Sequence, residues 1–345
     1  MPILRTDPLP PPPHFRVEGP GPDLSIVVPI FEEEEVLPLL IERLTEALDR
    51  LKLSSEVILV DDGSQDGTAE IAAKAHCDDP RFRALCLSRN FGHQAAISAG
   101  LAEARGGAVL VMDGDLQDPP EAIGRLWQKL GEGYDVVYAI RVSRPEGRLK
   151  RLAYAAFYRL LQRSVSIPMP LDAGDFGIMT RRVVDVLNEL PERRRFVRGL
   201  RAWAGFRQVG VPIEREPRAG GVPKYSWGKL ISLAIDGLVG FSETPLRWAG
   251  SIGIASVALA FLVAILVGFG FAPTATGWPW ILSVVLFLGG VQLFSIALLG
   301  EYVSRTLQET RARPAYIVRR RIGFEPVEDL RQSRPLPTRR VRHRG

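Results

Sequence analysis

Between Arg247 and Glu301 the 345-residue sequence has no Asp, Glu, Lys or Arg. A water-soluble domain has no need of so long an uncharged stretch, whereas a bilayer core takes about 20 apolar residues per helix. The turn-forming run from Pro273 to Pro279 divides the stretch, so two membrane helices are expected, one on each side of it. Cysteine is almost missing as well: Cys77 and Cys86 are the only two, too few for a zinc site and expected as reduced thiols in a cytosolic setting. Residues 1–22 are rich in Pro and lack an apolar core, which excludes a signal peptide there and predicts a flexible extension. No G-x-G-x-x-G turn follows the first strand, and no G-x-x-x-x-G-K-[ST] loop occurs. Two common ways of cradling phosphates on backbone N–H groups are therefore excluded.

What is present is a globular balance, 46% hydrophobic against 24% charged residues, as expected for one soluble domain plus a membrane part. Residues 301–345 carry twelve Arg against five acidic residues, so the net charge of +5 belongs to this basic tail and the remainder is slightly acidic. The large domain is not read as a nucleic-acid binder. Arg lies on both outer flanks of the uncharged stretch and none lies in the turn between the spans. By the positive-inside rule both termini and the large domain face the cytoplasm.

From Leu24 onward the chain alternates strand-like and helix-like patterns. Leu24 to Pro29 is a short β-branched run, and the acids Glu32 to Glu35 open an apolar-periodic helix through Leu51. Glu56 to Val60, Phe82 to Leu87 and Ala108 to Met112 read as further strands, with helices over Thr68 to Ala75 and Gln94 to Arg105. This α/β pattern predicts an open, mostly parallel sheet covered by helices, with ligands at the carboxyl ends of the strands. Those ends are Pro29 to Glu33, Asp61 to Asp66 and Asp113 to Asp118, and all three are acidic. Carboxylates repel phosphates unless a divalent cation lies between them. Asp113-Gly114-Asp115 offers two hard oxygen ligands just past a buried strand, with Gln117 and Asp118 in reach, a donor set suited to Mg2+ or Mn2+ on a substrate phosphate. Taken alone, Asp61 to Asp66 reads as an Asx-rich turn capping the helix at Thr68, and His93 as a structural histidine.

Four segments together carry a resemblance: Ser25-Ile26-Val27-Val28-Pro29, Val60-Asp61-Asp62-Gly63-Ser64-Gln65-Asp66-Gly67-Thr68, Leu87-Ser88-Arg89-Asn90-Phe91-Gly92-His93-Gln94, and Met112 to Glu121. With Gly174-Asp175-Phe176, Pro191-Glu192-Arg193, Arg198-Gly199, Lys224-Tyr225 and Gly300-Glu301-Tyr302, the chain resembles a family 2 glycosyltransferase of the polyprenyl-phosphate type over roughly residues 24–318. It is similar to dolichol-phosphate mannose synthases and bactoprenol glucosyltransferases. Phe31 and Glu32 stand where that pattern has Tyr-Asn, Gly114 replaces its middle Ala, and Gly177 stands where an Arg is common.

The resemblance implies a GT-A-type open mixed sheet with flanking helices, followed by two C-terminal transmembrane helices. The expected organisation is an extension (1–22), a cytosolic transferase domain (23–225), a juxtamembrane amphipathic segment (226–247), the two spans (248–300) and the basic tail (301–345). Leu149 to Val165 and Ser226 to Leu246 mix basic and aromatic residues in a way suited to a headgroup layer. On the same resemblance, Pro29, Phe31, Glu33 and Asp62 line the base and ribose of a nucleotide, with Asp61 as their neighbour. Asp113, Asp115 and Gln117 form the metal side; Asp115 is the central catalytic ligand and Asp113 also approaches the ribose. Arg141, Arg218 and Lys224 meet the phosphates, Arg141 on the acceptor, and Asp175 orients the reactants. The implied partners are a nucleotide-sugar donor, a polyprenyl phosphate lipid and the membrane, and a homo-oligomer, a tetramer, is also implied.

The expected reaction is inverting transfer of a hexose to undecaprenyl phosphate at the bacterial inner membrane. Glucose from UDP-glucose is the leading donor; GDP-mannose, UDP-N-acetylhexosamine and an amino-arabinose donor are the alternatives. A processive polysaccharide synthase would carry a Q-x-x-R-W motif, which is missing, and a non-catalytic scaffold would not need Asp113, Asp115 and Gln117 together.

Overall fold

The computed structural model describes residues 21–141, 173–193, 195–214, 249–256, 258–259, 262 and 278–325. The first half alternates as the sequence pattern predicts: β1 (Leu24–Ile30), α1 (Leu37–Leu51), β2 (Ser55–Asp61), α2 (Thr68–Asp78), β3 (Phe82–Leu87), α3 (His93–Glu103), β4 (Ala108–Val111), α4 (Ile123–Leu130) and β5 (Val136–Arg141). There follow β6 (Ala173–Thr180), α5 (Arg181–Glu189), α6 (Val197–Trp203), β7 (Gln208–Ile213), the long α7 (Trp278–Thr310) and β8 (Val318–Ile322).

β1 is buried at every position, as expected of an apolar strand covered on both faces. α1 buries Leu37, Leu40, Leu44, Ala47 and Leu48, the i, i+3, i+4 stripe of an amphipathic helix. Its start differs from the expectation. The acids Glu32 to Glu35 lie in the preceding loop, and the Glu33 carbonyl accepts the N–H groups of Val36 and Leu37. Pro38, in the first turn, is preorganised for a helix start and forfeits only a donor that has no intrahelical partner there.

The sheet has eight strands in the order β7-β5-β6-β4-β1-β2-β3-β8. β4, β1, β2 and β3 are mutually parallel, but β6 runs antiparallel to both β4 and β5, and β8 is antiparallel to β3. The mostly parallel reading therefore holds for the centre and for the β5–β7 pair at one edge, and the whole sheet is mixed. One layer of core residues joins the sheet to α1, α2 and α4, including Leu40, Leu44, Phe82 and Leu126. The other joins it to α3, α5 and α6, including Ile97, Leu101, Val184 and Leu200.

α7 is the one helix among the described residues long and apolar enough to cross a membrane, through Phe287–Thr310. Its Phe287, Leu293, Phe294 and Leu299 are exposed, a surface that suits hydrocarbon rather than water. Residues 249–256 are helical too and meet α7 along a groove of about 330 Å³ lined by Ala249, Ile252, Phe287, Gly290 and Phe294. Apart from residues 258–259 and 262, the rest of the expected first span lies outside the described residues. The segment read as a basic tail supplies the end of α7 and then β8, whose register sets Ile322 against Ala84 and Arg320 against Cys86.

Candidate active site

Parallel pairing of β1 with β2 and β4 brings Ile30, Asp61 and the end of β4 to one edge of the sheet. The edge is completed by a strand that runs the other way. β6 pairs Gly177 with Val111 and Ile178 with Leu110, and the same register carried two residues further sets Asp175 opposite Asp113. β5 pairs with β6 and β7 and ends at Arg141, so the Arg141 backbone reaches the same edge. Arg218 and Lys224 lie outside the described residues.

Around Asp113 and Asp175 the structure gathers groups from two helices, α3 and α6. His93, the first residue of α3, holds its Nε2 3.5 Å from Asp113 Oδ1 and 3.4 Å from Asp175 Oδ2. Arg198 of α6 donates through Nη2 to Asp175 Oδ2 at 3.2 Å. Gln94 donates its side-chain amide to Asp175 at 3.4 Å and accepts the Val197 N–H at 2.8 Å, tying the starts of α3 and α6 together. Burial alone would raise the Asp175 pKa, but the His93 hydrogen bond and the Arg198 charge hold it well below the usual carboxylate range. Burial likewise opposes protonation of His93, yet the two neighbouring carboxylates leave it above its ordinary value. Asp113 is pushed up to about 6, by burial first and then by Asp175, Asp118 and Asp115.

The acids after β2 divide their work. Asp62, 4% exposed, accepts the Phe91 and Gly92 N–H groups at 2.8 Å each and so holds the loop that delivers His93. Asp61 accepts the Ser64 N–H at 2.9 Å, while its Oδ2 is buried without a hydrogen-bond partner. Asp66 accepts the Thr68 N–H at 3.1 Å, the Asx turn expected there. The Glu33 N–H donates to Thr68 Oγ1 at 3.0 Å and that of Glu32 to Ser64 Oγ at 2.9 Å, which laces the loop of Phe31 and Glu33 to the turn after β2. Gly63 has φ +77°, and a Cβ there would lie 2.5 Å from the Arg89 carbonyl carbon. Only glycine lets these two backbones approach so closely.

Past β4, Asp115 Oδ1 accepts the Gln117 N–H at 3.1 Å. Leu116 between them has φ +58° and is 1% exposed; its burial in the core offsets a left-handed conformation that costs about 1 kcal/mol or more. Pro29 lies beside this loop, its carbonyl oxygen 3.2 Å from where a Cβ at Gly114 would stand. Among the described residues no group of three or more His, Cys, Asp or Glu could hold a metal by itself. Two crowded carboxylates with a neighbouring amide still fit a hard cation that takes its other ligands from phosphate and water.

By sequence pattern alone His93 reads as a structural residue, and neither Arg198 nor Arg201 has an assigned role. Arg201 is buried over the Tyr138 ring at 5.3 Å, and its Nη1 lies 3.2 Å from where a Cβ at Gly177 would stand. Here the side chain missing at residue 177 leaves space that an arginine from α6 approaches. The available signal was the spacing Arg198-x-x-Arg201 on a helix, which puts both on one face, but nothing local names the strand that face meets.

Residues 25–187 match the family model described as glycosyl transferase family 2. The chain is 41% identical over 87% of its length to the uncharacterized glycosyltransferase YkcC of Bacillus subtilis, covering 94% of that protein. It is 38% identical over 86% of its length to the bactoprenol glucosyl transferase of Shigella phage SfX, covering 99% of it. Among solved structures, glucosyl-3-phosphoglycerate synthase from Mycobacterium tuberculosis aligns with 64% of this chain and 80% of its own, at 22% identity and a TM-score of 0.44.

Proposed function

The chain belongs to glycosyl transferase family 2, and on that premise we propose that it transfers a hexose, glucose from UDP-glucose, to a polyprenyl phosphate at the cytoplasmic face of the bacterial inner membrane. The observation that carries this reading is that one sheet holds both the acidic strand ends and β8, the strand that follows the apolar helix α7. A donor site for a soluble nucleotide is thereby tied to a membrane segment, as a lipid acceptor requires. The bactoprenol glucosyl transferase resemblance over most of the chain supports the same substrate pair.

The tie also bears on topology. β8 and β3 are hydrogen-bonded strands of one sheet, so the chain before α7 and the chain after it lie on the same side of the bilayer. If α7 crosses, a second crossing must lie between Glu214 and Trp278, and the uncharged stretch from Trp248 onward supplies it. This parity supports the reading of two spans, and the Arg bias supports placing both ends of the chain on the cytoplasmic side.

In this reading Pro29, Phe31, Glu33, Asp61 and Asp62 line the nucleoside, and the buried Asp61 oxygen that lacks a donor suits a base N–H or ribose hydroxyl. Asp113, Asp115 and Gln117 would hold Mg2+ or Mn2+, which when bound would neutralise charge on the departing diphosphate. A lipid phosphate monoester has a second pKa of about 6 and arrives mostly ionised at neutral pH. Its oxygen attacks the anomeric carbon as the bond from that carbon to the diphosphate oxygen breaks, with inversion, so no proton has to be removed. Asp175 accordingly serves as an anchor: held ionised by Arg198 and His93, it is a poor base and a good orienting group. Arg141, Arg218 and Lys224 offset the repulsion between the two anionic substrates.

The test is incubation of the purified chain with undecaprenyl phosphate, Mg2+ or Mn2+ and a panel of labelled nucleotide sugars. Glucose label entering the organic phase from UDP-glucose is expected. Label that enters only from another donor would change the sugar, and none from any donor would refute the reading.

A further inference from the structure

The segments leading to His93 and Arg198 each hydrogen-bond to the chain between the end of α7 and β8. Ser88, at the start of the loop before His93, donates its N–H to the Ile317 carbonyl at 2.8 Å. Arg193, in the connection between α5 and α6, donates its N–H to both carboxylate oxygens of Glu309 at 3.1 and 3.0 Å. Glu309 sits in the last turn of α7, and four residues separate Arg193 from Arg198. Tyr316 packs against the α3, α5 and α6 layer, and Arg321 pairs with Glu103 of α3 at 2.9 Å. These contacts fasten the exit of the membrane helix onto the face that supplies the cationic side of the site.

From this juxtaposition we propose that Glu309 is a positioning residue for glycosyl transfer: its carboxylate fixes the Arg193 backbone and so sets Arg198 on Asp175 in register with the membrane helix. The proposal rests on the function argued above, since it gives the lipid-facing helix a grip on the groups around the reacting phosphate. The Arg193 N–H is held by Glu309, and Gln94 holds the next anchor at Val197. The connection is thus pinned at both ends, once from the membrane side and once from α3. A carboxylate suits the first pin because it accepts an N–H more strongly than a neutral group does. Glu309 acts through the segment that carries Arg198, which meets Asp175 and not the acids proposed to line the nucleoside, so its effect should fall on transfer to the lipid and not on donor binding.

The experiment uses the full-length chain in lipid nanodiscs with Glu309→Gln and Glu309→Ala. For Glu309→Ala, the turnover number with undecaprenyl phosphate should fall at least about fivefold, because a small misplacement of positioning groups has a steep kinetic cost. UDP-glucose affinity by calorimetry should stay within about twofold. Glu309→Gln keeps an acceptor oxygen and should lie between Ala and wild type. Hydrogen exchange at residues 191–199 should speed up in Glu309→Ala, with the strands of the sheet unchanged. Unchanged exchange in that segment would overturn the proposal, and so would a loss of donor affinity in step with transfer. If the wild-type chain transfers sugar to no lipid phosphate, the assigned function fails, while the exchange measurement still decides whether Glu309 holds this segment.

Discussion

Asp62→Asn separates a carboxylate that builds the site from one that merely lines it. Both Asp62 oxygens accept backbone N–H groups, from Phe91 and Gly92, at 2.8 Å. Asparagine keeps one acceptor and turns an –NH2 toward the other N–H, so one charge-assisted bond of about 1.5–3 kcal/mol is lost. Part of that loss is returned. Burial raises the Asp62 pKa despite the two backbone bonds, so the ionised form carries a desolvation cost at neutral pH that the amide escapes. The balance is a destabilisation of about 1–2 kcal/mol. For a domain of this size it lowers the thermal midpoint by roughly 2–8 °C. The loop set free precedes His93 directly, so UDP-glucose affinity should fall as well. Thermal unfolding followed by tryptophan fluorescence, beside calorimetric titration with UDP-glucose, reads both quantities on one preparation. A midpoint that moves by less than about 1 °C while donor affinity collapses would refute the reasoning, since Asp62 would then act on the nucleotide alone and the loop would be held by other contacts.

Asp115→Asn should reduce transfer at least about 100-fold with an unchanged circular dichroism spectrum, because it removes charge from the ion carrying the leaving diphosphate. Wild-type activity should also vanish in excess chelator, and its persistence would remove the metal from the mechanism. In a Cys77→Ser background, a cysteine introduced at Thr276 should react with an impermeant thiol reagent added to intact cells, and one at Gln332 should not; the reverse pattern would invert the topology. Glu32 has φ +52° on an exposed loop, a conformation that asparagine tolerates better, so Glu32→Asn should raise stability by about 0.5 kcal/mol. A lower melting midpoint for that variant would mean the Glu32 side chain contributes more than its backbone strain costs.

The sequence by itself carried whatever depends on near neighbours. The β-branched runs of β1 and β2, the helical stripe of α1, the turn residues from Asp61 to Gly67 and the uncharged stretch after Arg247 are local patterns. Each reports its own burial or solvent because period and composition are set by the environment of a single element. Acids at three strand ends were legible in the same way, since a parallel sheet delivers consecutive strand ends to one edge. Pairing partners were not legible. No local signal tells Ala173–Thr180 to run antiparallel between β4 and β5, yet that insertion sets Asp175 across from Asp113. His93 looked like an isolated histidine until the fold set it between those carboxylates. The Arg-rich run Val318–Ile322 read as tail because charge marks solvent on average, whereas an edge strand can keep its arginines exposed while its backbone pairs with β3. That pairing decided where the chain resumes after α7, because hydrogen bonds between strands about 230 residues apart depend on the closed sheet and not on any stretch of sequence.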